Sequence, residues 1–266
     1  MGTPLKNPPV YFTICQVRFN QLLKLAEFLP AIQEGFRKAG YPAYATQSNL
    51  VIQMVTQMPQ DGKPEQLQPM PSTHNSYQFG NLENTHLFML DSQALTLQST
   101  NYGCFEEFSA EFMNGLRIVH EAVDLSFTER IGLRYLDRIM PLDGDSIEQY
   151  LVHEVHGVMK RLGGQGLYSY AEAMNQKDDV KLRARVVIQG GELAFPPDVQ
   201  PGNMAIDARF HDYHGVSAIL DNDGFVEHRE AFSLETVAMH LNKIHDMIDV
   251  AFKETVTDYA FVVWGQ

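Results

Sequence analysis

Residues 127–140 read Phe127-Thr128-Glu129-Arg130-Ile131-Gly132-Leu133-Arg134-Tyr135-Leu136-Asp137-Arg138-Ile139-Met140. Side chains alternate across a strand, so this run sends Arg130, Arg134 and Arg138 to one face and Ile131, Leu133, Tyr135 and Ile139 to the other. An apolar face backed by a polar one is the pattern of a half-buried strand. At about 3.3 Å per residue, successive guanidinium groups leave it roughly 13 Å apart. Gly132, between the first two, bares the backbone in a way that suits close approach of a ligand or a chain.

Working outward, Lys181, Arg183 and Arg185 repeat the pattern, with Leu182, Ala184, Val186 and Ile188 opposite. That strand reads as a hairpin with 167–175. Residues 204–213 read as a further strand, placing Asp207, Arg209 and His211 on one face. Residues 10–19 form a first strand to which Gln16 and Arg18 belong, and 50–56, 77–79, 86–90 and 95–98 read as shorter ones. Asn222-Asp223-Gly224 reads as the turn of a hairpin between 216–220 and 225–228.

Helical periodicity appears in four places. Leu22, Ala26, Leu29, Ile32 and Phe36 follow a cap at Asn20, with Pro30 inside the stripe and Gly40 ending it. Residues 104–123 carry Phe105, Phe108, Phe112, Leu116 and Val119 on one side. Asp145 and Glu148 have capping-box spacing for a helix reaching 161. Ser233 caps the last helix, lined by Leu234, Val237, Leu241, Ile244 and Ile248. Residues 57–75 contain Pro59, Pro64, Pro69 and Pro71 without periodicity, and a loop of that length is usually functional or disordered.

Hairpins recur and helices rarely separate strands, which argues against a parallel doubly wound sheet. The expected fold is α+β: a largely antiparallel sheet with helices on one face, its first half like an elaborated ferredoxin-type unit. No break in composition divides residues 1–266, which read as a single domain. Two sub-units would meet near 142–146.

The net charge of −13 and pI near 5.1 argue against broad nucleic-acid or anionic-membrane binding. Six of the twenty basic residues nevertheless fall within 130–138 and 181–185. No run of about 18 apolar residues exists to span a membrane, and the polar, proline-rich start is not a signal peptide. Two cysteines, Cys15 and Cys104, give no disulfide framework and fit a reducing, cytoplasmic setting.

Several segments, taken together, carry a resemblance: Asn7-Pro8-Pro9-Val10, Gln16-Val17-Arg18-Phe19, Tyr102, Phe105, Arg130-Ile131-Gly132-Leu133-Arg134-Tyr135, Phe252 and Thr257-Asp258. The chain resembles, over nearly its whole length, a sporadically distributed family of uncharacterised bacterial proteins. The resemblance implies no activity. The family's sporadic distribution suggests a mobile-element or defence setting.

Function therefore rests on the basic face. Arginine holds carboxylate or phosphate in a planar fork. Arg130, Arg134, Arg138, Lys181, Arg183, Arg185, Arg209 and His211 accordingly form a candidate site for an anionic small molecule or an acidic protein partner, in a non-catalytic binding component. The competing structural reading pairs them with the protein's own acids, notably Glu129, Asp137, Asp207 and the acidic final helix. An enzymatic alternative has arginines hold a phosphate-containing or nucleotide substrate, with His211 or His214 as acid or base. A third reading makes 57–75 the contact loop of a structural interaction protein.

His153 and His156, one helical turn apart on a solvent side, lack a third ligand, and no metal or cofactor is implied. His245 falls on the apolar stripe of the last helix as a core histidine. Gly163-Gly164-Gln165-Gly166 follows a helix and reads as its stop. A homodimer is expected from short strands near 77–98 that would leave an open edge, and from the apolar 261–264 tail. That tail has a second reading, as a strand on its own subunit.

Overall fold

The computed structural model describes residues 5–56, 67–163 and 166–265. Its strands in chain order are β1 (Val10–Phe19), β2 (Ala43–Thr56), β3 (Leu67–Gly80), β4 (His86–Leu90), β5 (Ala94–Ser99), β6 (Phe127–Ile139), β7 (Tyr168–Lys177), β8 (Val180–Gly190), β9 (Val216–Val226) and β10 (Glu230–Ala231). The helices are α1 (Leu25–Lys38), α2 (Phe105–Val123), α3 (Ile147–Tyr150), α4 (Ala208–His211), α5 (Leu234–Thr255) and α6 (Asp258–Trp264).

All strand pairs are antiparallel and build one sheet of order β2-β3-β4-β5-β1-β6-β9-β8-β7, with β10 paired to the start of β6. The fold is α+β. Within it β6-β1-β5-β4 has the order of a ferredoxin-type unit, to which the β2–β3 hairpin adds two strands on one side and β9-β8-β7 three on the other. Strands from both sides of 142–146 share this sheet.

One face carries the main core. Cys15, Val17, Leu97, Ile131 and Leu133 pack against Phe36 of α1, Phe112 and Leu116 of α2, and Leu241 and Ile244 of α5. Farther along that face Ile139, Val186, Ile188 and Leu220 lie beneath Tyr150, Ala260 and Trp264. The opposite face is bare over most of its area but roofed at one end, where Val199 and Phe210 from 191–215 cover Tyr11, Phe12, Leu136 and Ile219.

Several elements differ from expectation, each for a visible reason. Residues 216–226 form one continuous strand without a hairpin, because the side chains of Asp221 and Asp223 find arginines on both neighbouring strands; tertiary pairing outweighs turn propensity. Residues 204–213 hold no strand. Asp207 Oδ1 accepts from the Arg209 amide and starts the single turn of α4. The helix from 145 stops after α3, whose capping box uses Ser146 and Gln149, since Leu151 leaves to bridge Val256. His153 and His156 then sit in a 3₁₀ turn, with His156 buried, not on a solvent face. α1 starts only at Leu25, because Asn20 Oδ1 accepts instead from the Ser126 amide.

Of 57–75, residues 57–66 lie outside the described residues and the rest belongs to β3. The strands near 77–98 lie inside the sheet, whose long edges are β2 and β7. The apolar C-terminal segment is the helix α6, not a strand, with Trp264 buried and stacked on Phe252 and Val262 exposed. Cys15 and Cys104 are free thiols. Among the described residues no helix is long and apolar enough to cross a membrane.

α5 seats on the sheet at Gly224, where an added Cβ would stand 2.6 Å from Ile244 Cγ2. Gly224→Ala is therefore expected to lose about 1–3 kcal/mol through overpacking. Gly190→Ala, with nothing within 4 Å of the added atom, serves as the control, and urea unfolding midpoints of the two variants check the difference.

Candidate functional site

The bare face is organised by β6, β9 and β8, whose register sets Arg134 opposite Asp223 and Asp223 opposite Arg183. One step along, Asp221 stands opposite Arg185. Arg134 reaches diagonally to Asp221 and grips it side-on, Nε donating to Oδ1 at 2.7 Å and Nη2 to Oδ2 at 2.8 Å. Arg185 Nη2 lies 2.6 Å from the same Oδ2, as a close charge contact. Arg134 and Asp221 are 8% and 2% exposed.

The remaining edge of the Arg134 fork is held differently. Nη1 donates to Asp198 Oδ2 at 2.6 Å and Nη2 to Oδ1 at 3.2 Å. Asp198 belongs to the 191–207 segment, and its side chain is 61% exposed. Burial works against the Arg134 charge, but its hydrogen bonds to Asp221 and Asp198 outweigh it and hold the guanidinium protonated. In return the Arg134 bond keeps the Asp198 carboxyl below its ordinary range.

The other expected residues separate. Arg138 is buried under the roof, where its guanidinium donates to the carbonyls of Phe210, Gly191 and Tyr213 and to Ser217 Oγ. Lys181 pairs with Glu227 at 3.6 Å. Arg209 is on α4, pairs with Asp207 and donates to the Pro8 carbonyl. His211 and His214 are exposed on the segment roofing Arg138 and do not line the arginine pocket. Arg183 has no ion pair within 4 Å among the described residues. The acids that neutralise the face are Asp221, Asp223 and Asp198; Asp137 points to the opposite face, and Glu129 pairs with Arg229.

Beside Arg134 a pocket of about 360 Å³ opens over β5, β1 and β6, lined by Gln16, Thr96, Gln98, Arg130, Gly132, Arg134, Asp198 and Asp223. Arg130 is only loosely paired, 3.5 Å from Asp223, and lies over the Phe225 ring at 4.6 Å. A Cβ at Gly132 would stand 2.7 Å from Arg130 Nη1. The glycine thus makes room for this protein's own guanidinium. Gln98 Oε1 is buried without a hydrogen bond, and Arg18 stands directly across from Arg130 on β1.

A second pocket, about 160 Å³, lies on the helical side and is lined by Pro8, Pro9, Tyr102, Tyr135, Asp137, His245 and Phe252. The Tyr102 and Tyr135 hydroxyls are 3.1 Å apart, and Tyr135 lies 3.4 Å from His245 Nδ1. His245 is stacked on Phe105 at 4.0 Å and borders this pocket, so it is not a closed core residue. Burial, with the nearby Asp221 charge adding to it, lifts the Asp137 carboxyl to about 7. Sequence reading missed this cluster, which brings together Pro8, Pro9, Tyr102, Tyr135 and Phe252 from distant parts of the chain.

Two outcomes are expected. Asp221→Ala leaves two arginines facing an empty site and costs about 3–5 kcal/mol, whereas Asp198→Asn at its exposed position costs about 1 kcal/mol or less; chemical denaturation of both checks this. Asp137 binds its proton more tightly folded than unfolded, so its contribution is full below pH 4 and falls as pH rises toward 7. A gap of this size is on the order of 4 kcal/mol. Asp137→Asn should therefore gain in melting temperature over the parent chain as pH goes from 5 to 8, which paired thermal melts would read. No protein-family model matches this sequence, and no curated protein matches it.

Proposed function

We propose that the protein is a binding component that recognises a small carboxylate- or phosphate-bearing molecule in the pocket of Arg130 and Arg134. The observation that carries this is the double grip on Arg134. Asp221 is a permanent, buried partner, whereas Asp198 is an exposed carboxylate on a connecting segment, set in the fork that an external anion would use. Asp198 thus holds the place of the ligand. An incoming carboxylate or phosphate exchanges one charge-assisted pair for another and gains Arg130, whose hold on Asp223 is loose. Gln16, Thr96 and Gln98 offer hydrogen bonds on the far wall, which suits a polar molecule better than a bare ion. An acidic side chain of a partner protein would meet the same groups.

Thermal-shift and calorimetric titration with inorganic phosphate, a nucleoside triphosphate, citrate, succinate and a glutamate-rich peptide tests this. At least one should raise the melting temperature, since a ligand at a hundredfold its Kd adds about 2.7 kcal/mol. Asp198→Asn should bind the same ligand several-fold more tightly, and Arg130→Ala should weaken it. If none of these anions shifts either the parent chain or Asp198→Asn, the reading fails.

A further inference from the structure

Away from both pockets, at the end of the sheet where α5 meets β10, three side chains from separate parts of the chain converge. His228 follows β9, Glu230 begins β10 and His240 projects from the second turn of α5. One ligand-type atom from each lies within 4.8 Å of the others. Glu230 Oε1 is 2.9 Å from His240 Nε2 and 3.5 Å from His228 Nε2. His240 is 3% exposed, yet neither of its ring nitrogens makes a hydrogen bond; the carboxylate stands close to Nε2 but off the line a hydrogen bond requires. A buried imidazole left in that condition is costly unless something else satisfies it.

We propose that His228, Glu230 and His240 bind a divalent transition-metal ion of the zinc class. Two imidazoles and one carboxylate are a donor set such ions take, with the remaining position left for water or a ligand. Tetrahedral coordination needs donor atoms about 3.3 Å apart. Both Glu230 contacts are near that spacing, and a ring nitrogen of His228 and one of His240 lie within 4.8 Å of one another. An outer carboxylate stands close to the other ring nitrogen, without yet bonding it. Asp179, in the β7–β8 turn, puts Oδ2 3.5 Å from His240 Nδ1 and is itself held by Lys243. A carboxylate behind a ligating histidine fixes the ring's orientation and leaves Nε2 free to bind. The ion would tie α5 to β10, while exposed His228 keeps one side of it open to solvent.

The test uses the full chain after dialysis against a chelator, titrated with Zn²⁺ by calorimetry and with Co²⁺ by visible absorption. One equivalent should bind, raise the melting temperature and give the intense visible bands of four- or five-coordinate cobalt; Mg²⁺ should do neither. His228→Ala and Glu230→Gln, both at positions reached by solvent, should each weaken Zn²⁺ binding at least about tenfold with circular dichroism unchanged, and Asp179→Asn should weaken it by about tenfold. Absence of a cobalt spectrum, or zinc binding that survives in both His228→Ala and Glu230→Gln, overturns the assignment.

Discussion

The Asp221 carboxylate, set between Arg134 and Arg185, is the interaction on which the bare face depends. It lies on β9 with the two guanidinium groups on the neighbouring β6 and β8, so it joins three adjacent strands by charge as well as by backbone bonds. Such a buried group adds little net stability when intact, because desolvating three charges offsets most of their attraction. Its effect is on specificity. A slip of either neighbouring strand by one residue would turn its arginine into the apolar core, away from the carboxylate it answers. The register of the second half of the sheet is thereby held to one solution, and the pocket beside Arg134 inherits that rigidity.

The fold class was legible because the deciding strands alternate cleanly. In β8 Lys181, Arg183 and Arg185 alternate with apolar residues, in β6 Arg130, Arg134 and Arg138 share one face, with Ile131, Leu133 and Ile139 on the other, and β1, α2 and α5 declare themselves as plainly. What misled was local chemistry overruled at a distance. Asn222-Asp223-Gly224 has the composition of a tight turn, and only the arginines of strands far away in sequence make a straight strand there affordable. Asp207, Arg209 and His211 alternate by coincidence in a segment whose aspartate caps a turn of helix. Pro69 and Pro71 suggested a loop, yet the backbone there runs as β3.

The candidate site was half legible. Arginines could be placed on a face, but the acids that answer them could not, since pairing across strands is invisible without the register. Asp198 carries no local signal. Nor did His228, Glu230 and His240 suggest a site: the helical spacing that makes His240 buried is visible, but its meeting with β10 follows from the return of the chain beside β6. The same holds for the second pocket, where Pro8, Pro9, Tyr102, Tyr135 and Phe252, far apart in sequence, gather around Asp137.

One modest contact bears on how the chain reaches this state. The Asn7 amide donates to the Trp264 carbonyl at 3.0 Å, and Leu5 packs with the cluster containing Trp264. That pairing encloses nearly all of the described chain in a single loop, whose closure carries a large entropic cost with little immediate return. Contacts of such separation are made late in folding, after the sheet has brought their surroundings together. The α6 region should accordingly be the last to dock and the first to detach, peeling from the sheet before the β6–β9–β8 strands give way.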